Sequence, residues 1–266
     1  MRIGQLLIFW LALSFLPLAV LGQITETSSL DKYAYLIYGK TRSGCVVQAS
    51  GFLVKTDRSL YLVTACHVIN GWRFESFEKE DSYPDTLFLR VNLKNTDSCT
   101  FIPIDISKIK NVKSDPDWPD VYFYKISLDP KFRICALDAN SLYNEAFSDI
   151  PSEVAIYGFH VGDVDFERSE FLQLKPQKAT THFPDKDTYA CSPIVYEIGY
   201  SDNSLGPGNS GSPVFFIWRT RVNGRTSTKV RFGGLLFAGN PLKHSASVIR
   251  PEVIKYLLHS VDKARN

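Results

Sequence analysis

Short runs rich in β-branched and aromatic residues recur along most of the chain and constrain its fold more than any other feature. Six of them lie between residues 33 and 126, and five more lie between residues 154 and 237. Turn-forming clusters such as residues 55–58 separate them, which is typical of antiparallel strands. Only residues 251–261 have helical periodicity, with proline in the first turn. We therefore predict an all-β fold of two six-stranded antiparallel β-barrels in series with a C-terminal helix.

The same pattern predicts where each strand lies. The strands of the first group are predicted at residues 33–38, 46–54, 60–65, 87–93, 100–106 and 121–126. Those of the second group are predicted at residues 154–159, 170–174, 194–198, 214–218 and 230–237. The first barrel would span about residues 30–135 and the second about residues 150–250, with a connector at residues 136–149.

Residues 206–214 (GPGNSGSPV) place a serine, Ser210, in a turn rich in glycine and proline, directly before an apolar run. Glycine on both sides allows turn dihedrals and leaves the backbone N–H groups around Ser210 uncovered. A serine nucleophile needs an accessible hydroxyl and N–H donors for the oxyanion that forms when it attacks a carbonyl. By itself, a Gly/Ser/Pro cluster between apolar runs is typical of an ordinary loop.

Two upstream segments supply a histidine and an acid. Residues 60–69 (LYLVTACHVI) put His67 at the end of a strand-like run, and residues 120–126 (DVYFYKI) put Asp120 at the head of another. With the turn around Ser210, they resemble the three catalytic blocks of trypsin-like, chymotrypsin-fold serine proteases, in the same His, Asp, Ser order. The similarity covers nearly all of the chain after residue 22.

The resemblance implies a role for each of these residues. Ser210 would be the nucleophile, and His67 the general base and later the acid for the leaving group. Asp120 would hold the imidazole tautomer and stabilise the imidazolium. Asp115 and Asp117 lie close by, and we favour Asp120 because it directly precedes the apolar strand, as in the family.

The resemblance also implies an oxyanion hole formed by the backbone N–H groups of Gly208 and Ser210.

The sequence of the turn indicates which branch of the family it resembles most. Asn209 and the Pro-Gly before it look closer to the HtrA-type and glutamyl-endopeptidase branches, although no room remains after the last helix for a PDZ-like domain. Asn209 is neutral where digestive proteases have an aspartate that pairs with a newly cut N-terminus, so activation by that ion pair is not expected. Ser212 replaces the usual second glycine and adds a hydroxyl near the site.

The substrate pocket is also assigned by resemblance. Its floor would be Ser204, and its wall would be formed by Phe237, Ala238 and Gly239. The floor carries no aspartate, so we expect an apolar or small residue before the scissile bond rather than Lys or Arg. His244 is an alternative determinant that would favour Glu, as in glutamyl endopeptidases, unless it is an ordinary surface histidine.

The expected function is that of a serine endopeptidase acting on a protein or peptide substrate. There are two alternative functions. A serine esterase of the α/β-hydrolase fold needs the order Ser, acid, His, and no acid lies between Ser210 and His244, the next histidine. A catalytically weak or inactive trypsin-fold binding protein is the second alternative. The complete set of His, Asp and Ser argues against it.

Residues 1–22 have the features of a secretory signal peptide, with a short basic start, an apolar core and small residues before the expected cleavage site. Residues 23–266 would then form the protease domain of a secreted, periplasmic or extracellular protein, without stable membrane insertion after cleavage. An uncleaved anchor is the alternative, because the apolar run approaches the length that spans a bilayer. A propeptide at residues 23–31 also stays open.

Cysteine count and charge limit the remaining partners. Export implies a compartment that permits disulfides, and five cysteines leave at least one free or bonded between chains. Their spacing does not match a zinc pattern, and we expect no metal or cofactor. The chain carries 30 Lys and Arg against 28 Asp and Glu, which argues against binding nucleic acid through its phosphates. The oligomeric state stays open.

Overall fold

The protein is a mostly β molecule of two packed sheets and a C-terminal helix, as the sequence predicts. The computed structural model describes residues 27–40, 46–71, 83–107, 109, 119–142, 151–160, 175–183, 192–200, 205–222, 224–240 and 242–264. The strands and helices in these ranges are β1 (Tyr35–Lys40), β2 (Val46–Lys55), β3 (Leu60–Thr64), α1 (Cys66–Asn70), β4 (Thr86–Leu93), β5 (Cys99–Asp105), β6 (Tyr122–Ile126), β7 (Phe132–Arg133), β8 (Ala136–Asp138), β9 (Glu153–Gly158), β10 (Gln177–His182), β11 (Val195–Tyr200), β12 (Pro213–Val222), β13 (Arg225–Asn240), β14 (Ser245–Ile249) and α2 (Pro251–Ala264).

The first eight strands form one sheet. Its main path runs β5-β4-β1-β2-β3-β6, and the short β7 and β8 pair with β4 and β2. Within the described ranges this path does not close, so the sheet is a half-barrel, and together with the closed barrel of the other six strands it confirms the predicted all-β architecture. Strand β8 pairs in parallel with β2, so the predicted connector begins as part of this sheet.

The other six strands form a closed barrel in the order β10-β11-β14-β13-β12-β9. Strand β12 explains why the run after Ser210 is apolar at successive positions. Val214 and Phe216 belong to the core inside the barrel, whereas Phe215 and Ile217 belong to the core shared with the first sheet. A strand buried on both faces needs an apolar residue at every position rather than at every second one.

Aromatic contacts join the first sheet to the barrel. The ring of Phe52 on β2 lies 5.1 Å from that of Phe232 on β13, and Phe232 lies 6.4 Å from Phe215. All three side chains are buried. Because large aromatic rings contribute much of the free energy of a core, this cluster stabilises the side-by-side position of the two sheets, and with it the position of their facing loops.

Helix α2 packs against β13 of the barrel and also reaches the first sheet. Its proline-started first turn and its buried residues Ile254, Leu257 and Leu258 match the predicted apolar face. The hydroxyl of Tyr61 on β3 donates to Oδ1 of Asp262 at 2.8 Å. Within the described ranges, no helix combines the length and the apolar character needed to cross a membrane.

The predicted strands agree with β1–β6, β9 and β11–β13 to within a few residues, except at the longer ends of β12 and β13. The predicted strand at 170–174 lies outside the described residues. Strands β7, β8, β10 and β14 were not predicted. The first two are only two and three residues long, and the sequences of the other two, QKATTH and SASVI, are poor in large apolar residues.

A β-bulge in β13 depends on Gly234. The register shifts beside it, and Gly234 has a φ of 135°, in the region that favours glycine. An added Cβ would lie within 3.0 Å of the backbone carbonyl of Ile249. We expect Gly234→Ala to lower the free energy of unfolding by about 3 kcal/mol, measured by denaturant titration.

The matched control is Gly239→Ala on the same strand, where an added Cβ meets nothing within 4 Å. This variant should unfold within about 0.5 kcal/mol of the parent. Equal stability of the two variants would contradict the role given to the bulge.

Candidate active site

His67 and Asp120 lie next to each other at the ends of two paired strands of the first sheet. His67 lies in α1 directly after β3, and Asp120 lies just before β6, while Thr64 pairs with Tyr122 across these strands. Oδ2 of Asp120 lies 2.6 Å from Nδ1 of His67, and Oδ1 accepts a hydrogen bond from the backbone N–H of His67 at 2.9 Å. Both oxygens of one carboxylate therefore hold one histidine.

The surroundings determine which histidine nitrogen is open. The side chain of Asp120 is 6% exposed and that of His67 is 23% exposed. An ionised carboxylate only accepts hydrogen bonds, so the proton lies on Nδ1 of His67. In the neutral ring the lone pair then lies on Nε2, the atom that a general base uses.

Ser210 lies in a turn that is tied to the barrel by its neighbours. The N–H of Gly211 donates to the carbonyl of Leu236 on β13 at 2.7 Å, and the N–H of Ser212 donates to the carbonyl of Asn209 at 2.9 Å. Ser210 itself is half-buried. The turn therefore presents the serine from a backbone that is bonded on both sides of it.

Two N–H groups next to the bonded ones matter for the chemistry of the turn. Among the described residues, those of Gly208 and Ser210 donate to no protein acceptor. Gly208 has a φ of 93°, which glycine adopts without steric cost. Open donors next to the serine hydroxyl are what an oxyanion hole requires. The assignment of these groups as that hole stays a prediction.

Ser50 on β2, which is not among the predicted site residues, connects the turn to the first sheet. Its N–H donates to the carbonyl of Ser210 at 2.9 Å, and its Oγ donates to the carbonyl of Gly208 at 2.8 Å. Its Oγ also accepts from the N–H of Phe159 at 2.9 Å, and its carbonyl accepts from Oγ1 of Thr64 at 2.7 Å. A serine among the apolar residues of a buried strand was the available signal.

The turn approaches β2 and β3 so closely that only glycine fits at position 211. Gly211 has a φ of 89°, and an added Cβ would lie within 3.0 Å of the carbonyl oxygen of Ser50 and of Oγ1 of Thr64. Thr64 lies three residues before His67 in the chain. The turn therefore lies against the strand end that carries the histidine. Within the described residues, Ser210 Oγ forms no hydrogen bond with His67.

Asn209 and Ser212, the two departures from the digestive proteases, both face the barrel interior. Their side chains are buried, and an added Cβ on Gly158 would lie within 3.0 Å of Oδ1 of Asn209 and of Oγ of Ser212. The Ser212 hydroxyl is buried and has no hydrogen-bond partner among the described residues. The hydroxyl that replaces a glycine in this turn is therefore directed at the backbone of β9.

The structure describes only some of the residues that are predicted to form the substrate pocket. Ser204, the predicted floor, lies outside the described residues. Phe237 and Ala238 are half-buried and Gly239 is exposed on β13, with open space where a Cβ would be added to Gly239. His244 lies on the exposed turn after β13, with its ring 5.6 Å from that of Tyr200. The pocket assignment stays a prediction.

Other reactive groups are few in the described part of the chain. No group of three or more metal-ligating side chains comes together there. No disulfide forms there either, and Cys135 has a free thiol whose pKa is raised by burial, which makes it a poor nucleophile. Cys45 and Cys191 lie outside the described residues, so the disulfide expected from export was not observed.

Comparison with known proteins gives the family. The sequence profile of the trypsin-like peptidase domain matches residues 49–217, which include His67, Asp120 and Ser210. The chain belongs to this family. No curated protein matches this trypsin-like peptidase. The members of this family are peptidases, whose substrates are peptides or proteins.

Solved structures of similar fold share little sequence with this chain. That of GrC has a TM-score of 0.51 at 15% identity and covers 91% of this chain and 99% of its own. The scabies mite inactivated protease paralogue S-D1 has a TM-score of 0.49 at 15% identity, covering 92% and 95%. The serine endoprotease from Yersinia pestis has a TM-score of 0.45 at 11% identity, covering 86% and 62%. The likeness to GrC supports the fold alone.

The hydroxyl of Ser50 generates a prediction about stability. Ser50→Ala leaves the carbonyl of Gly208 and the N–H of Phe159 without this partner in a buried position. Each buried group left unpaired costs about 1–3 kcal/mol, so we expect the free energy of unfolding to fall by at least about 2 kcal/mol. Urea titration measures it.

The control is Ser260→Ala on the exposed face of α2, where the change should stay within about 0.5 kcal/mol. Hydrogen exchange at the Phe159 amide provides a local readout. It should become faster in Ser50→Ala at denaturant concentrations where the fold is intact. Unchanged exchange together with unchanged stability would contradict the linking role of Ser50.

Proposed function

We propose that this trypsin-like peptidase is a serine endopeptidase that hydrolyses peptide bonds through His67, Asp120 and Ser210 by way of an acyl-enzyme. The observation that carries the proposal is the pair of hydrogen bonds from one residue, His67, to both oxygens of Asp120. This arrangement leaves Nε2 of His67 available to take a proton. Membership of a peptidase family supports the choice of a peptide bond as substrate.

Acylation begins when Oγ of Ser210 attacks the carbonyl carbon of the scissile bond. Nε2 of His67 takes the hydroxyl proton, and Asp120 stabilises the imidazolium that forms. The carbonyl oxygen becomes an oxyanion that accepts hydrogen bonds from the N–H groups of Gly208 and Ser210. Nε2 then gives its proton to the leaving amine as the C–N bond breaks, which leaves an ester on Ser210.

Deacylation repeats these steps with water. His67 takes a proton from a water molecule as its oxygen attacks the ester carbon, and the same two N–H groups bind the second oxyanion. The proton then passes to Oγ of Ser210 as the C–O bond breaks. The product acid leaves, and the serine hydroxyl is restored.

The proposal extends to substrate choice and location. A neutral pocket formed by Ser204 and the strand 237–239 favours an apolar or small residue before the scissile bond. The apolar segment at residues 1–22 supports export, so we propose a secreted, periplasmic or extracellular enzyme. Sequencing the N-terminus of the exported protein tests this part, and a mature chain that still begins at residue 1 would contradict cleavage.

The proposed function generates two predictions about the site residues, and the first concerns the nucleophile. Wild-type protein should be labelled by a fluorophosphonate probe on Ser210, and Ser210→Ala should abolish labelling and lower the rate of peptide hydrolysis by several orders of magnitude. Peptide mass spectrometry identifies the labelled residue.

The matched control is Ser212→Ala, two residues away in the same turn. The hydroxyl of Ser212 is buried and unpaired among the described residues, so its removal should leave labelling intact. Labelling that persists in Ser210→Ala would refute the assignment. A correctly folded wild-type protein that is never labelled would favour the alternative, an inactive binding protein of the same fold.

The second prediction separates the candidate acids. Asp120→Asn cannot hold the Nδ1–H tautomer in the same way, and kcat should fall by about four orders of magnitude. The controls are Asp115→Asn and Asp117→Asn, whose kcat should stay close to the parent value. Steady-state kinetics on one peptide substrate compares all three. A large loss in either control, with activity kept in Asp120→Asn, would transfer the role to that residue.

A further inference from the structure

His160 lies next to the serine turn and has no part in the mechanism above. It follows β9 by two residues and is half-buried. Its ring lies against Gly206, where an added Cβ would come within 3.0 Å of both Cε1 and Nδ1. Nδ1 of His160 is 3.3 Å from the carbonyl oxygen of Pro207. Because that oxygen can only accept, Nδ1 carries the proton in this contact.

The backbone that presents His160 is held from both sides by β2. The N–H of Phe159 donates to Oγ of Ser50 at 2.9 Å. The carbonyl of Phe159 accepts from Nε2 of Gln48 at 2.8 Å. Both backbone polar groups of Phe159 are therefore hydrogen-bonded to β2. These bonds fix the backbone that places the imidazole ring of His160 against the turn.

The carbonyl that faces His160 belongs to the peptide that carries the N–H of Gly208. In a planar trans peptide the C=O and N–H bonds point in opposite directions. A donor that fixes the direction of the Pro207 carbonyl therefore also fixes the direction of the Gly208 N–H. The next carbonyl along the chain, that of Gly208, is fixed separately by Oγ of Ser50 at 2.8 Å.

This peptide needs such a restraint because glycine follows it. Gly208 has a φ of 93°, and glycine occupies positive and negative φ at similar cost. Rotation of the Pro207–Gly208 peptide would change the direction of the Gly208 N–H. The loss would not require any other bond of the turn to break, since Asn209, Gly211 and Ser212 are bonded through their own N–H groups.

We propose that His160 is a positioning residue of the oxyanion hole: its Nδ1–H holds the Pro207 carbonyl and so keeps the Gly208 N–H directed at the reacting oxygen. The inference rests on the proposed function, because an oxyanion forms only if Ser210 attacks a carbonyl. His160 contacts neither substrate nor Ser210 in this scheme. It acts through one peptide bond.

The test uses two variants of the full chain that separate the donor from the ring. His160→Phe keeps a ring over Gly206 and removes the donor, whereas His160→Asn places an amide N–H close to the position of Nδ1. His259→Phe and His259→Asn on the exposed face of α2 are the controls. The four variants and the wild type are compared by fluorophosphonate labelling rate and by kcat and KM on one peptide substrate.

We expect His160→Phe to lower kcat and the labelling rate by about 10- to 100-fold with KM changed by less than about twofold, since losing one oxyanion donor entirely costs about 10²–10³ in kcat. His160→Asn should recover most of the loss, and the His259 variants should match the wild type. A purely structural role for His160 would instead lower thermal stability in both His160 variants and would not distinguish Phe from Asn.

A second measurement decides the inference even if the wild type proves inactive. Residual dipolar coupling of the Gly208 amide reports the direction of its N–H bond. It should be the same in wild type and His160→Asn and different in His160→Phe. An unchanged Gly208 direction in His160→Phe would overturn the inference, whatever the rates. Absence of labelling and turnover in wild type would overturn the proposed function and leave the coupling to decide the role of His160.

Discussion

Two carbonyl groups of the serine turn and one N–H at the end of β9 all depend on Ser50. Ser50 is fully buried. A buried backbone polar group that loses its hydrogen-bond partner lowers the free energy of unfolding by about 1–3 kcal/mol, as much as a typical destabilising mutation does. At Gly211 the turn lies directly against the carbonyl group of Ser50, with no room for a Cβ. Since Ser50 belongs to the first sheet and the turn belongs to the barrel, these bonds fix the turn relative to the segment that carries His67.

Much of the fold could be predicted from local sequence because most strands carry a clear apolar signal. Strand β12 is the plainest case, since burial on both faces makes every residue from Val214 to Ile217 apolar. Strand β14, with two serines in five residues, gives no such signal and is recognised only through its pairing with β11 and β13. The open first sheet is likewise a matter of how strand ends meet in space. Strand composition carries no information on that.

The candidate site divides in the same way. His67, Asp120 and Ser210 could be selected as candidates because each stands at a recognisable boundary between a turn and an apolar run. Ser50 and His160 could not, because their contacts join residues 158 and 47 positions apart, and only the folded chain brings these together. Gly158 is similar: its need for glycine arises from the side chains of Asn209 and Ser212, which approach it from a distant segment.

The two side chains of the turn that lie against Gly158, those of Asn209 and Ser212, are both uncharged. Asn209 is buried at 3% exposure, and its side chain faces a β-strand backbone and another uncharged side chain, Ser212. An aspartate in this position would carry a charge into the interior, which costs several kcal/mol unless a buried cation comes with it. The turn is instead held by hydrogen bonds from neutral groups, chiefly those of Ser50. Its stability therefore depends on packing and hydrogen bonding between the two sheets.

The groups that the turn leaves open are as significant as those that it bonds. Every bonded N–H of the turn points into the protein, towards Gly206, Asn209 or Leu236, whereas those of Gly208 and Ser210 meet no protein acceptor among the described residues. Open donors stabilise a developing charge only if they keep their direction while the charge forms, because reorientation at that moment would cost the energy that they supply. The adjacent carbonyls of Pro207 and Gly208 are bonded to the side chains of His160 and Ser50, and these bonds restrain the direction of the two peptide groups. The proposed mechanism therefore requires a rigid backbone around the N–H groups of Gly208 and Ser210, and we propose that the bonds of Ser50 and His160 supply this rigidity to a glycine-rich segment.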